Sequence, residues 1–187
     1  FRRSRGLGDV YKRQVHNETS TGSTSRIKEV RDAINLANHD ALLMVDTISG
    51  LASMEYKHDE WGIDVTVSGS QKGLMLPPGL SFNAISEKAI KISKKSGMRR
   101  SYWDWEEQIE ANRYGSFPYT PATNLLYGLK EAIKMLHEEG LDKVFKRHDR
   151  HAKATRLAVQ AWGLEVLCKE EQDYSSVLTA VVLPENH

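Results

Sequence analysis

The run Ala41-Leu42-Leu43-Met44-Val45 is apolar at every position and stops at Asp46. A strand with one wet face alternates apolar and polar residues. Five apolar residues in succession fit a strand buried on both faces, as in a parallel sheet covered by helices. The run is far too short to cross a membrane. Further strands are expected over Asp64–Ser68 and Leu80–Ile85, and between and around them the spacing changes to that of helices. A helix from about Ser25 carries Ile27, Val30, Ile34 and Ala37 on one face. Ser86 is placed to cap a short basic helix ending near Gly97, and Trp103 to Asn112 reads as helical. Thr120-Pro121 reads as a helix start, because threonine accepts from first-turn amides and proline suits the first helical position. Leu126, Leu129, Ile133 and Leu136 would then form the buried face. A second long helix puts Leu141, Phe145, His148, Ala152, Val159 and Trp162 on one stripe, with Gly163 closing it. Leu164–Cys168 and Val177–Leu183 read as strands. Alternating strands and helices imply an α/β layer with helices on both faces, and the turn at Glu139-Gly140 is a candidate domain edge.

Composition narrows the class of protein. With 40% hydrophobic and 27% charged residues and a net charge of +1, the chain fits neither a disordered nor a fibrous class. Cys168 is the single cysteine, which excludes an intrachain disulfide and points to a reducing, intracellular setting. The first fourteen residues, FRRSRGLGDVYKRQ, stand apart. Five Lys/Arg against one Asp give them a charge of +4, and without them the chain would carry −3. Lacking periodicity, they resemble translated adapter sequence and are expected to be disordered and dispensable. The chain starts without methionine and ends just past an apolar strand, so it is expected to be a fragment.

The stretch Ser68-Gly69-Ser70-Gln71-Lys72-Gly73-Leu74 follows the Asp64–Ser68 strand and precedes the turn Pro77-Pro78-Gly79. A lysine there lacks the charged surroundings of a solvated face. Asp46 ends one inner strand and Lys72 lies just past the end of another. Ligands of open α/β sheets bind outside the carboxyl ends of the strands, so both side chains would reach one crevice. An amine and a carboxylate placed across a heteroaromatic ring are what pyridoxal phosphate needs. The amine bonds the aldehyde, and the carboxylate keeps the ring nitrogen protonated. Small residues let backbone and hydroxyls approach a phosphate. On spacing alone a strand-end aspartate is usually a turn or cap residue, and a lysine beside glycine is usually a solvated one.

The surrounding text favours the first reading. LLMVDTISGLASMEYKHDEWGIDVTVSGSQKGLMLPPGLSF resembles the core of the class V, fold-type I aminotransferases, in the alanine/serine–glyoxylate group. HNETSTG, RSYWDWEEQIEANRYGSFPYTPATNLLYGL and RHDRHAKATRLAVQAWGLEVLC resemble the same family, so the likeness runs from Val15 to the C-terminus. It implies part of a large cofactor-binding domain over residues 15–139, with a mainly parallel sheet flanked by helices. Residues 140–187 would begin the small α+β domain. The implied cofactor is pyridoxal 5'-phosphate, with Lys72 bonded to it and Asp46 at its ring nitrogen. Gln71 and Thr19 would touch the cofactor, and Thr120 would reach the phosphate bound by the neighbouring subunit of a homodimer with shared sites. Phe117 stands where some relatives carry a phosphate-bonding tyrosine and cannot donate. The implied reaction moves an amino group from serine or alanine to glyoxylate, giving glycine and hydroxypyruvate or pyruvate, with Lys72 as general base and then general acid. Another pyridoxal phosphate reaction, of desulfurase or lyase type, or an inactive truncated chain, are the alternatives. Family members are expected to be about twice as long, with the phosphate turn, the ring-stacking residue and the substrate arginine outside this sequence. The expected compartment is a bacterial cytoplasm, or a peroxisome for a plant-like source.

Three further features read as structure. His148 and His151 fit one inward and one surface histidine better than a metal site. The basic residues from Lys88 to Arg100 fit a solvated helix face, without interleaved aromatics for nucleic acid. Trp103 and Trp105 fit a subunit contact or a substrate lid.

Overall fold

A computed structural model describes residues 11–184. Strand β1 (Tyr11–Val15) leads into a small hairpin, β2 (Asn17–Glu18) and β3 (Ser23–Thr24). Helix α1 (Ile27–Leu36) follows, then β4 (Leu42–Asp46), β5 (Val65–Gly69) and β6 (Ser81–Ile85). Helices α2 (Glu87–Lys94), α3 (Trp105–Arg113), α4 (Thr123–Glu139) and α5 (Leu141–Ala161) come next, and a ribbon of β7 (Glu165–Val166) and β8 (Val181–Val182) closes the chain.

The main sheet has the order β1-β4-β5-β6, with β1, β4 and β5 parallel and β6 antiparallel at the edge. Its inner strand β4 is covered on both faces, as its unbroken apolar run requires. Leu43 and Val45 pack with Ile27 and Ile34 of α1 and with Ile63. Leu42 packs on the other face with Val65 and with Ala89 of α2, beside Ile92 and Trp105. Trp105 therefore belongs to the core under α2, while Trp103 is 78% exposed.

The expectation that residues 1–14 stand outside the fold is corrected for the stretch Tyr11 to Gln14. These residues form most of β1 and pair in continuous parallel register with β4, from Tyr11 opposite Leu42 to Val15 opposite Asp46. Main-chain amides and carbonyls pair whatever the side chains are, and at a sheet edge alternate side chains are free to meet solvent. Gln14 Nε2 also donates to Ser25 Oγ at 2.8 Å, and the Arg13 guanidinium lies 5.0 Å from the Tyr11 ring centroid. The expected disorder of the rest of the tail falls on residues 1–10, which lie outside the described residues.

Two helix assignments shift. Helix α4 starts at Thr123, with Ala122 at its N-cap position and no side chain capping it, so Thr120-Pro121 precedes the helix. Tertiary packing sets the start. Leu125 lies against Gly79, where an added Cβ would stand 2.6 Å from Leu125 Cδ1, and Gly128 lies against Leu76. Docking on the loop after β5 thus fixes the α4 register: Leu136 is buried as expected, Ala132 is buried as well, and Ile133 is exposed. In α5 the buried positions are Val144, Ala152 and Val159, and Leu141 and Trp162 are exposed. The α5 end is as expected. Gly163 has φ 75°, its amide donates to Gln160 O, and the Leu164 amide donates to Val159 O, the paired bonds of a left-handed glycine stop.

Beyond α5 the chain returns to the hairpin. The Ser175 amide donates to Gly22 O, and Arg156 donates to Ser175 O while lying 4.6 Å from the Tyr174 ring centroid. Among the described residues no helix is long and apolar enough to cross a membrane.

Candidate active site

The C-terminal ends of β4 and β5 lie side by side, with Asp46 opposite Val67. Parallel pairing therefore brings Asp46 and the loop that leaves β5 to the same edge of the sheet. The turn after β4 is built by short bonds. Asp46 Oδ1 accepts from the Ile48 amide at 2.9 Å, and buried Thr47 donates through its amide and its hydroxyl to Val67 O. The Asp46 carboxylate remains exposed, and its Oδ2 makes no hydrogen bond among the described residues.

The loop after β5 is closed on itself by Ser70, which is fully buried. Its Oγ donates to Pro77 O at 2.7 Å and accepts from the Leu80 amide, and its backbone pairs with Leu80 and Leu76. Gly73 carries the closest approach. A Cβ there would stand 2.1 Å from Leu51 O and 2.6 Å from Ser53 Oγ, so the lysine loop rests backbone to backbone on the turn that follows Asp46. Ala52 and Met75, on either side of this contact, both hold left-handed backbone, with φ 63° and 61°. Such conformations disfavour side-chain-bearing residues and persist where the surroundings fix them.

Lys72 stands on this loop, exposed, and forms no ion pair among the described residues. It lines a cavity of ≈ 330 Å³ with Thr19, Ser49, Ser53, Arg147 and His148. The structure thus brings together Thr19 and Lys72 of the residues singled out from sequence. Asp46 and Gln71 lie outside the cavity wall, at the neighbouring strand end and on the loop. The Gln71 side chain folds back over Gly69, whose added Cβ would meet Gln71 Oε1 at 2.8 Å. Thr120 is exposed in the segment before α4. Arg147 and His148 escaped the sequence reading as site residues. The α5 stripe marked His148 as inward, but only the packing of Val144 with Leu74, Leu76 and Leu136 turns this part of α5 toward the lysine loop.

Behind the strand ends lies a buried aromatic and polar cluster. The His16 ring lies 5.2 Å from the Tyr56 ring and 6.4 Å from the Trp61 ring, and burial pushes the imidazole down to about 4. Thr66 Oγ1 is shared by Tyr56 Oη and His58 Nδ1, each at 2.6 Å. His16 is joined to the site through the main chain, because its amide donates to Asp46 O at 2.9 Å.

These groups suit a planar aldehyde cofactor. An exposed amine without an ion-pair partner, a carboxylate with one oxygen uncommitted and a glycine loop pressed on the adjacent turn are the donor set that pyridoxal phosphate chemistry uses. A fold-type I α/β sheet carrying a lysine loop past its strand ends defines a broad class of transferases. Within it the chain belongs to the class V aminotransferase family, whose model, Aminotransferase class-V, matches residues 12–186.

Relatives narrow the likeness. The chain is 50% identical over 173 residues to a serine–glyoxylate aminotransferase of Hyphomicrobium methylovorum, a match covering 91% of this chain and 43% of the relative. It is 42% identical over 171 residues to an L-aspartate–glyoxylate aminotransferase of Paracoccus denitrificans, with 91% and 43% covered. Among solved structures, an alanine–glyoxylate aminotransferase from Nostoc sp. superposes with a TM-score of 0.85 at 28% identity, over 95% of this chain and 47% of that one. A pyridoxamine–pyruvate aminotransferase from Mesorhizobium loti superposes with a TM-score of 0.87 at 30% identity, over 94% and 45%. The chain spans less than half the length of these proteins.

Proposed function

We propose that the protein is a pyridoxal 5'-phosphate-dependent aminotransferase that moves the amino group of serine, or of alanine, to glyoxylate. The observation that carries this reading is the joint placement of Lys72 and Asp46. One sits on a glycine-tight loop opening to a cavity, and the other ends the adjacent strand with a free carboxylate oxygen. Identity of 50% to a serine–glyoxylate aminotransferase supports the choice of donor and acceptor. The products are glycine and hydroxypyruvate, or pyruvate from alanine.

Residues 15–139 would form part of the cofactor-binding domain and residues 140–187 the start of the small domain. Lys72 would hold the cofactor's aldehyde carbon, with Gln71 and Thr19 beside it. When bound, the cofactor supplies a pyridinium ring that accepts the electron pair left at the substrate Cα. Asp46 would hold a proton on the ring nitrogen through a charge-assisted hydrogen bond. Lys72 Nζ would hold the proton exchanged at the substrate Cα, acting as general base and then as general acid. Thr19 offers a hydroxyl in the cavity wall, whereas the Ser49 hydroxyl already donates to Asn17 O and accepts from Asn17 Nδ2. Cys168, two residues past β7, lies outside the cavity wall, which weighs against a desulfurase-type nucleophile. The active form would be a homodimer, and the compartment a bacterial cytoplasm or a plant peroxisome.

The test uses the full-length protein. Borohydride reduction followed by peptide mapping is expected to put the pyridoxyl group on Lys72, and serine with glyoxylate is expected to yield glycine. A label on another lysine would remove Lys72 from its role. A correctly labelled protein that makes no glycine would redirect the function to another reaction.

A further inference from the structure

The cavity that receives Lys72 has basic groups and no acidic side chain in its wall: Lys72, Arg147 and His148 line it with hydroxyls and apolar residues. A wall of that kind would draw in doubly charged acids, yet two of its three basic groups are restrained. Arg147 donates through Nε to Glu139 Oε1 at 2.7 Å and through its terminal nitrogen to Glu139 Oε2 at 2.9 Å. This two-point pairing matches the planar guanidinium to the carboxylate and occupies both. Hydrogen bonding from Arg147 holds the Glu139 carboxyl below the usual carboxylate range, so the pair stays charged at neutral pH. His148 is lowered by burial, then by the Arg147 and His151 charges, which keeps it neutral there. The pair is built into the chain path. Glu139 ends α4, Arg147 lies within the first turns of α5, and Gly140, with φ 85°, is the single residue between the helices.

We propose that Glu139, by holding Arg147, sets the donor preference of the Lys72 cavity toward amino acids with one carboxylate and a small neutral side chain. A second carboxylate on the donor would find the guanidinium already bridged and would have to displace Glu139 or stand beside it. Discrimination of this kind comes from a repulsive element more than from an added attraction. The inference rests on the reading that the amino donor enters the cavity of Lys72.

Three variants of the full-length holoenzyme test it: Glu139→Gln, Arg147→Gln and the two together. Glu139→Gln leaves an unbridged guanidinium at the wall. The ratio of kcat/KM for aspartate over serine, with glyoxylate as acceptor, is expected to rise about fivefold, the upper range for a partly exposed charge pair. Arg147→Gln leaves Glu139 bare and should lower the ratio, and the double variant, with neither charge, should return near the starting value. A pair that only ties α4 to α5 would lower the melting temperature in all three variants and leave the ratio unmoved, and that result overturns the inference. Should Glu139→Gln fail to fold, Arg147→Gln against the double variant decides, and equal ratios overturn it. Succinate binding by calorimetry requires no turnover and separates the two levels of the reading. Tighter succinate binding by Glu139→Gln in a protein without serine–glyoxylate exchange would uphold the wall and reject the function. Unchanged binding in an active enzyme would reject the wall and uphold the function.

Discussion

Asp46 and His16 sit a main-chain hydrogen bond apart, the one exposed and the other buried. Asp46 is exposed at a strand end, and the proposed role asks its carboxylate to hold a proton on a ring nitrogen. Asp46→Asn keeps the shape and the bond from the Ile48 amide but removes that charge. Cofactor absorbance is expected to persist while turnover falls about a hundredfold or more, the loss seen when one strong electrostatic stabiliser is removed. Near-normal turnover in this variant would reduce Asp46 to a turn residue. His16 must instead stay neutral. Its folded value near 4 lies below the ordinary 6.5, so the unfolded chain binds the proton first as pH falls. Stability is therefore full above about pH 6.5, drops between there and about pH 4 by roughly 3 kcal/mol, and levels off below. Urea unfolding at pH 7.5 and 4.5 checks this, and His16→Gln should flatten the difference. An equal pH slope in the variant would assign the loss to other groups.

At the scale of elements, one carboxylate ties three of them. Asp64, just before β5, is buried and receives Arg31 of α1 at 2.6 Å, the Leu43 amide of β4 at 2.8 Å and the Ser86 hydroxyl at 3.1 Å, while Ser86 caps α2. Removing the carboxylate strands a nearly buried guanidinium, so Asp64→Ala is expected to cost about 3 kcal/mol in chemical denaturation. A loss under about 1 kcal/mol would mean that the pair is as weak as an exposed one. In the sequence Asp64 reads only as the polar member of an alternating strand. The limits of sequence reading are general here. Local signals sufficed for β4, whose apolar run had no solvated alternative, for Ser86 as the α2 cap and for Gly163 as the α5 stop. They failed where distant contacts decide: the start of α4, set by Leu125 on Gly79, and β1, whose polar side chains hide a main chain that pairs perfectly well. The candidate site divides in the same way. That Asp46 and the Lys72 loop share one edge of the sheet is legible because strand ends in a parallel sheet converge, although Asp46 stands outside the cavity wall. Arg147 and His148, by contrast, reach the cavity through helix packing that no local pattern encodes.

On the scale of the whole molecule, a group of exposed aromatic rings stands out among the described residues. Tyr102 and Trp103 are 58% and 78% exposed, and the Tyr102 ring lies 6.1 Å from that of Trp103 and 5.1 Å from that of Tyr119. Exposed aromatics grouped in this way mark a contact surface, since rigid rings bury large area at little entropic cost. Thr120 follows Tyr119 directly and, like Asp46 and Gln71, does not line the Lys72 cavity. Its reach is expected to be across a dimer contact, to the phosphate bound by the other subunit. Each of two sites would then need Lys72 from one chain and Thr120 from the other. Take a Lys72→Ala protomer and a second protomer in which Thr120→Glu places a like charge against the phosphate. Alone, each homodimer is defective at both sites. In the hybrid dimer one site collects both defects and the other collects neither, so up to half of the normal activity per hybrid dimer should return on mixing. Exchange of subunits must be followed separately, for instance by a charge tag on one protomer resolved on native gels. Restored activity in step with hybrid formation would establish the shared site, whereas hybrids that form without activity would return Thr120 to its own chain or to no role at all.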